Sequence, residues 1–249
     1  MQAFPMIPEM HALNKAHGLS TEEAAKMEMA TSLAMLSSGA VTTFWLLFHI
    51  LSDRDLTASI REELSQATET KDDGQIRIIN LGAVKDRCPT LIAALNETLR
   101  YHSTVINIKQ VQHDTTLANH YLLKKNSIVM IPGHSVHHNK SLWGPDANTF
   151  NHHHFLSLQS KKNLASTAAF RPFGAGATMC PGRHFSTNVI LGLVVMVLVG
   201  FEVEPVGGEW VEPEKRKADS WNAMPKPDCD VEVVMKPKGE EGEWKFVWE

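Results

Sequence analysis

The residues of this chain best suited to chemistry lie in one loop, Phe173-Gly174-Ala175-Gly176-Ala177-Thr178-Met179-Cys180-Pro181-Gly182. It carries a single cysteine among glycines and runs into an apolar stretch from Val189 to Phe201. That stretch predicts a helix over 185–199, opening just after the cysteine. Glycines admit positive φ and let the backbone approach a flat partner closely. A cysteine at the mouth of a helix gains from the positive end of the dipole, which favours thiolate over thiol. A lone thiolate held this way suits the axial position of a haem iron. The competing reading is a structural cysteine in a tight turn before a core helix.

Several elements must position this loop. Ser20-Thr21-Glu22-Glu23 reads as an N-cap followed by first-turn acids and predicts a long helix from Ser20 to about Leu51. Ser52-Asp53 opens another, with Leu56, Ile60 and Leu64 at helical spacing, and Thr70 to Gly74 is a polar break. Pro89 in a first turn, with the Leu91-Ile92-Leu95-Leu99 stripe, marks a third helix over 86–101. Beyond Arg100, alternation in Val105–Ile108, Tyr121–Leu123 and Ile128–Ile131 predicts short strands of a small sheet. Loops and short helices are expected from Pro132 to Phe170, and a few strands such as Val231–Val234 in the tail. The class is mainly α with small β-sheets, an α+β fold.

Composition narrows the partners. The net charge of −4 arises from 28 acids and 24 bases without a basic block, which argues against nucleic acid. Three cysteines, Cys88, Cys180 and Cys229, form no CxxC pair and suit a reducing compartment better than a disulfide framework. Ser32–Leu51 is free of charge over roughly 20 residues, the length a bilayer core asks for. Its serines, threonines and His49 fit a helix through a soluble core better than a membrane span. The N-terminal residues show no signal-peptide pattern. Of the 13 histidines, the runs His134-x-x-His137-His138 and His152-His153-His154 lack zinc-site spacing and read as polar loop residues.

The cysteine loop closely resembles the haem-binding signature of the cytochrome P-450 family, Phe-x-x-Gly-x-Arg/His-x-Cys-x-Gly. Phe173, Gly176, Cys180 and Gly182 match it, while Thr178 stands at the basic position. Upstream, Glu97-Thr98-Leu99-Arg100 resembles the family's ExxR pair. That pair implies a brace with an arginine from a Phe-x-Pro-x-Arg-Phe stretch. Here the stretch is Phe150-Asn151-His152-His153-His154-Phe155, with His154 at the arginine and His152 at the proline. Imidazole lacks the guanidinium fork, and its charge depends on pH, so a weaker brace is expected. Ser38-Gly39-Ala40-Val41-Thr42-Thr43 resembles the oxygen-activation segment. There Gly39 and Ala40 would let the helix pass over the haem face, and Thr42 is the oxygen-handling hydroxyl. Val41 replaces the usual acid. Lys109 falls at a haem-propionate position, as does Thr178. Trp143-Gly144-Pro145-Asp146 and Phe170-Arg171-Pro172-Phe173 resemble fungal members.

The resemblance covers the C-terminal half of such an enzyme, and all 249 residues are expected to be one partial domain. Its parts are the oxygen-activation helix (20–52), the ExxR helix (86–101) and the cysteine loop with its helix (170–200). The strands near Val105 and Ile128 are then expected to keep an unpaired edge. Implied are haem b, molecular oxygen, a lipophilic small-molecule substrate and an NADPH-dependent reductase. The substrate would meet the helix near Ser38 to Thr42, the turn Ser103 to Ile108 and the tail Asn222 to Pro225. The implied activity is a haem-thiolate monooxygenase, with a place in secondary-metabolite biosynthesis. The alternatives are a haem-thiolate isomerase or dehydratase needing no reductase, and a non-catalytic remnant. The family implies the cytoplasmic side of the endoplasmic reticulum; with no anchor or membrane span expected in this chain, a cytosolic place is the other expectation.

Overall fold

Helix α2, Thr21–Ser52, is the spine of the computed structural model, which describes residues 6–72, 75–159, 168–217, 223–239 and 243–248. Ser20 and Glu23 form a capping box at its start: the Ser20 N–H donates to Glu23 Oε2 at 2.9 Å, and the Glu23 N–H donates to Ser20 Oγ. From Thr42 onward α2 is mostly buried, whereas Met29, Leu33 and Leu36 in its first half are exposed. A short helix α1, Met6–Ala16, precedes it. Asp53 then caps α3, Arg54–Gln66, by accepting the Leu56 N–H at 3.0 Å.

The polar break expected at Thr70 contains a strand. β1, Thr68–Lys71, pairs antiparallel with β2, Ile76–Asn80, which pairs in parallel with the C-terminal β9, Glu243–Val247. β1 is held by β2, and β2 in turn by a strand some 170 residues away, so local polarity was a poor guide. A separate turn, α4 at Val84–Arg87, precedes α5, Pro89–His102. Proline restricts the residue before it, and Cys88 accordingly leaves helical geometry at φ −121° and ψ 68°. The orphan N–H groups of Thr90 and Leu91 at the mouth of α5 are taken by Glu63 of α3.

After α5 come β3, Ile106–Gln110, the hairpin β4, Thr115–Leu117, and β5, Tyr121–Leu123, then β6, Ile128–Pro132, which pairs antiparallel with β3. Three short helices follow, α6 Gly133–His137, α7 Lys140–Trp143 and α8 His153–Gln159. Helix α9, Arg183–Gly200, leads into β7, Phe201–Pro205, which pairs with β8, Val233–Pro237. The main core joins Trp45, Leu46 and Ile50 of α2, Ile60 and Leu64 of α3, Leu91 of α5, and Val194 and Leu198 of α9. By length and composition α2 and α9 are both apolar enough to cross a membrane. Their apolar windows are partly buried here, as core helices also are.

Candidate active site

The cysteine loop is closed by its own backbone. The Cys180 N–H donates to the Phe173 carbonyl at 2.9 Å, and Gly176–Thr178 form a 3₁₀ turn between them. Gly174 and Gly176 have φ +80° and +69°, which only glycine adopts at low cost. A Cβ on Gly174 would also stand 3.1 Å from Asn107 Oδ1. Phe173 anchors one end of the loop against the main core, and Gly182 caps α9 at the other. Cys180 is exposed; Cys88, by contrast, is buried, and burial pushes its thiol up to about 12. Desolvation keeps that second sulfur inert.

Cys180 and Thr42 border the same cavity, of about 600 Å³, between α2, β3, the loop and the start of α9. Val105, Ile108, Ile190 and Met224 make much of its wall apolar, and no charged side chain is among its described lining residues. Asn222 of the expected tail contact lies outside the described residues. The Thr42 hydroxyl donates to the Ser38 carbonyl at 2.7 Å, and Thr43 does the same to Gly39 at 2.9 Å. Gly39 is buried but not among the cavity residues. The nearest atom to a Cβ placed on it is Ser186 Oγ of α9, at 3.9 Å, so its smallness admits α9 beside α2. Ala40 is exposed.

Lys109 and Thr178 meet each other. The Lys109 ammonium donates to Thr178 Oγ1 and to the Ala175 carbonyl, which ties β3 to the cysteine loop. A third residue joins them that motif reading did not single out. Asn107 is buried, lines the cavity and leaves its Nδ2 without a hydrogen-bond partner. The available signal was strand alternation: positions 107 and 109 share one face of β3. Ser103 Oγ is likewise buried, cavity-lining and unpartnered.

Behind the cavity, Glu97 and Arg100 are wholly buried and paired through two hydrogen bonds of 2.8 and 2.7 Å. The rest of the Arg100 fork donates to the carbonyls of His137, Ala147 and Thr149, and its plane lies 5.2 Å from the Trp143 ring. Glu97 also accepts the Asn151 N–H at 2.8 Å and His154 Nδ1 at 3.2 Å. Burial alone would raise Glu97, but the hydrogen bonds from Arg100 and His154 outweigh it and hold the carboxyl below its usual value. The same bond to Glu97 raises His154, against its own burial. His154 Nε2 lies 3.2 Å from Asp146 Oδ1, a charge contact without a formed hydrogen bond. Asp146 is held at about 2, first by the Asn151 amide and then by His154. His154 therefore lies 3.2 Å from each of two carboxylates, hydrogen-bonded to Glu97 and in charge contact with Asp146.

The expected residues thus fall into two groups. Phe173, Gly176, Thr178, Cys180, Gly182, Lys109 and Thr42 gather around one cavity or its loop; Glu97, Arg100 and His154 form one buried network. Gly39 lies at a helix contact. The donor chemistry suits a flat, carboxylate-bearing macrocycle with a metal at its centre. One soft sulfur is available, glycines leave the loop bare, and Lys109, Thr178 and the unpaired Asn107 amide are donors for carboxylates.

A sequence model of the family Cytochrome P450 matches residues 9–231. The chain is 34% identical over 241 residues to cytochrome P450 monooxygenase nodJ of Hypoxylon pulicicidum, covering 92% of this chain and 47% of that protein. It is 30% identical over 245 residues to a cytochrome P450 monooxygenase of Gibberella zeae, covering 93% and 47%. It is 27% identical over 230 residues to cholesterol 7-alpha-monooxygenase of Cricetulus griseus, covering 87% and 45%. The chain spans about half the length of these curated relatives. By both the motif-bearing loop and the extent of these matches, the chain belongs to the cytochrome P450 family, whose cofactor is haem b.

Proposed function

We propose that this chain carries the haem-thiolate centre of a monooxygenase that oxidises a lipophilic small molecule in fungal-type secondary metabolism. The observation that carries the reading is one cavity bordered by both Cys180 and Thr42, with much of its wall apolar and no charged side chain among its described lining residues. Haem b, when bound, supplies the oxygen and redox chemistry. The protein's share is binding, orientation and proton handling. Cys180 would offer the thiolate, with the Phe173–Cys180 hydrogen bond fixing the loop and the bare glycines leaving its backbone open to close approach. Lys109 and Asn107 of β3 and Thr178 of the loop are the donors that would hold the haem carboxylates. The Glu97–Arg100–His154 network acts at a distance, by fixing the segment from Ala147 to Asn151 against α5.

Thr42 acts on protons. Its own hydrogen is committed to Ser38, so the oxygen is left to accept one from a water in the cavity. Rotation about χ1 would release the hydroxyl as a donor. Val41, at the position where the family resemblance expects an acid, packs against the main core instead and offers no proton. That favours a second reading, rearrangement of an already oxygenated substrate without a reductase.

The test is a carbon-monoxide difference spectrum of the reduced, haem-reconstituted chain. The expected result is a band at the thiolate position that Cys180→Ser abolishes. Absence of haem uptake would leave the non-catalytic remnant. Turnover dependent on NADPH and a flavin reductase separates monooxygenation from rearrangement.

A further inference from the structure

Helix α2 keeps one apolar line open along most of its length. Phe44, Leu47 and Leu51 are the only residues between Thr42 and Leu51 that are not buried. Toward the N-terminus the same line continues through Ala40, Leu36, Leu33 and Met29, all exposed, the last three by 72, 68 and 71%. With 3.6 residues per turn, these seven positions fall within roughly 80° of one another around the helix axis. The steps between them, 4-3-4-4-3-4, make two 11-residue repeats, a period that keeps one line of side chains turned to a helical neighbour. Thr31, Ser32, Ser37 and Ser38 lie off the line. The apolar surface is therefore a narrow packing seam, not the all-round coat that lipid requires.

The spacing reads the same in both directions about Ala40, which is the property of a seam that packs antiparallel on itself. A two-fold axis at Ala40 brings Met29 against Leu51 of the second copy, Leu33 against Leu47 and Leu36 against Phe44. The two Ala40 methyls meet at the axis, where small side chains let the helices approach closely. No charged residue lies on the seam, so self-pairing sets no like charges together. Phe44, Leu47 and Leu51 also form one wall of an apolar groove of about 160 Å³, closed on the far side by Val197 of α9, Trp210 and Met235 of β8. The same rotation carries Met29 and Leu33 of the second copy over that groove. The seam, with Val233 and Met235 at the groove's rim, offers roughly the 800 Å² per partner that a standard specific interface buries. We propose that this chain forms a two-fold dimer in which α2 packs antiparallel on α2 of a second copy, crossing at Ala40. Such pairing is closed and leaves no further seam open for growth. Ser38 and Thr42, which border the cysteine cavity, lie about half a turn around α2 from the seam, so the dimer does not rest on the haem reading.

The experiment measures the mass of the purified chain by sedimentation equilibrium from low to high micromolar concentration, without added haem. Expected is a species of twice the 27.7 kDa chain mass. Leu36→Glu should weaken association at least a hundredfold with an unchanged circular dichroism spectrum, because Leu36 is exposed in a single copy. Register is read by cross-linking introduced cysteines with diamide, which takes two electrons and two protons from a pair of thiols, followed by peptide mapping. Ala40→Cys should link to itself. Met29→Cys should not, but should link to Leu51→Cys when the two variants are mixed. Links through the native Cys180 and Cys229 map elsewhere and occur in the wild type too. A monomer throughout the range would overturn the proposal and leave the seam to a different polypeptide. A dimer indifferent to Leu36→Glu, Met29→Cys linking to itself, or open-ended aggregates without the Ala40→Cys link would also overturn it. Haem uptake is read separately, so failure of the dimer and failure of the haem-thiolate reading are distinguishable.

Discussion

Replacing His154 by alanine tests the buried network most directly, because pH gives the result a predicted sign. Glu97 has no exposed surface and accepts from Arg100, Asn151 and His154. Removing the imidazole takes one charge-assisted partner from a buried carboxylate, a loss of about 1.5–3 kcal/mol. The 3.2 Å separation places it toward the lower end. The Asp146 contact adds little, since that carboxylate is substantially exposed and screened by water. His154 is raised in the folded state relative to an unfolded value of about 6.5. Its contribution is therefore fully present below about pH 6.5 and is lost as pH rises through the higher folded value. Urea unfolding of wild type and His154→Ala at pH 6 and pH 8.5 should show a gap of about 1.5–3 kcal/mol that narrows at the higher pH. His154→Arg should abolish the pH dependence while keeping most of the stability. A gap that stays the same at both pH values, or is absent at pH 6, refutes the account of the brace.

Three further outcomes follow from the same geometry. Arg100→Met strands Glu97 and three carbonyls in the interior and should cost about 3–5 kcal/mol in urea unfolding. A loss below 1 kcal/mol would mean that water reaches the network. Lys109→Met should weaken haem retention about tenfold in a transfer assay to apomyoglobin, the effect of one charge-assisted hydrogen bond, and leave unfolding of the haem-free chain nearly unchanged. Thr42→Ala should raise peroxide release relative to product in a reconstituted system, and unchanged coupling would remove Thr42 from proton handling.

The local signals in the sequence were strong where backbone chemistry is local. Ser20 with Glu23, Asp53 and Pro89 announce three helix starts, and all three helices open within a residue of them. The apolar spacing of Leu56, Ile60 and Leu64 likewise marks the buried face of α3. The segment at Thr68–Lys71 was not legible, because its strand exists through pairing with Ile76–Asn80, itself completed by a strand near the C-terminus.

The candidate site divides in the same way. Residue type and spacing drew out Cys180 with its glycines, and the family resemblance of short stretches added the Glu97–Arg100 pair and Thr42, since a thiolate loop and an i,i+3 ion pair are properties of short stretches. Tertiary packing decided what those stretches face. It set Thr42 and Cys180 on one cavity, turned Gly39 toward Ser186, and made His154 a partner of both Glu97 and Asp146. It also left the Asn107 amide unpaired beside Lys109 and enclosed His49 and His102 with the tail lysine. Most of those relations join positions tens to more than a hundred residues apart. Only the closing of the core, which fixes distance and excludes water, could bring them into being.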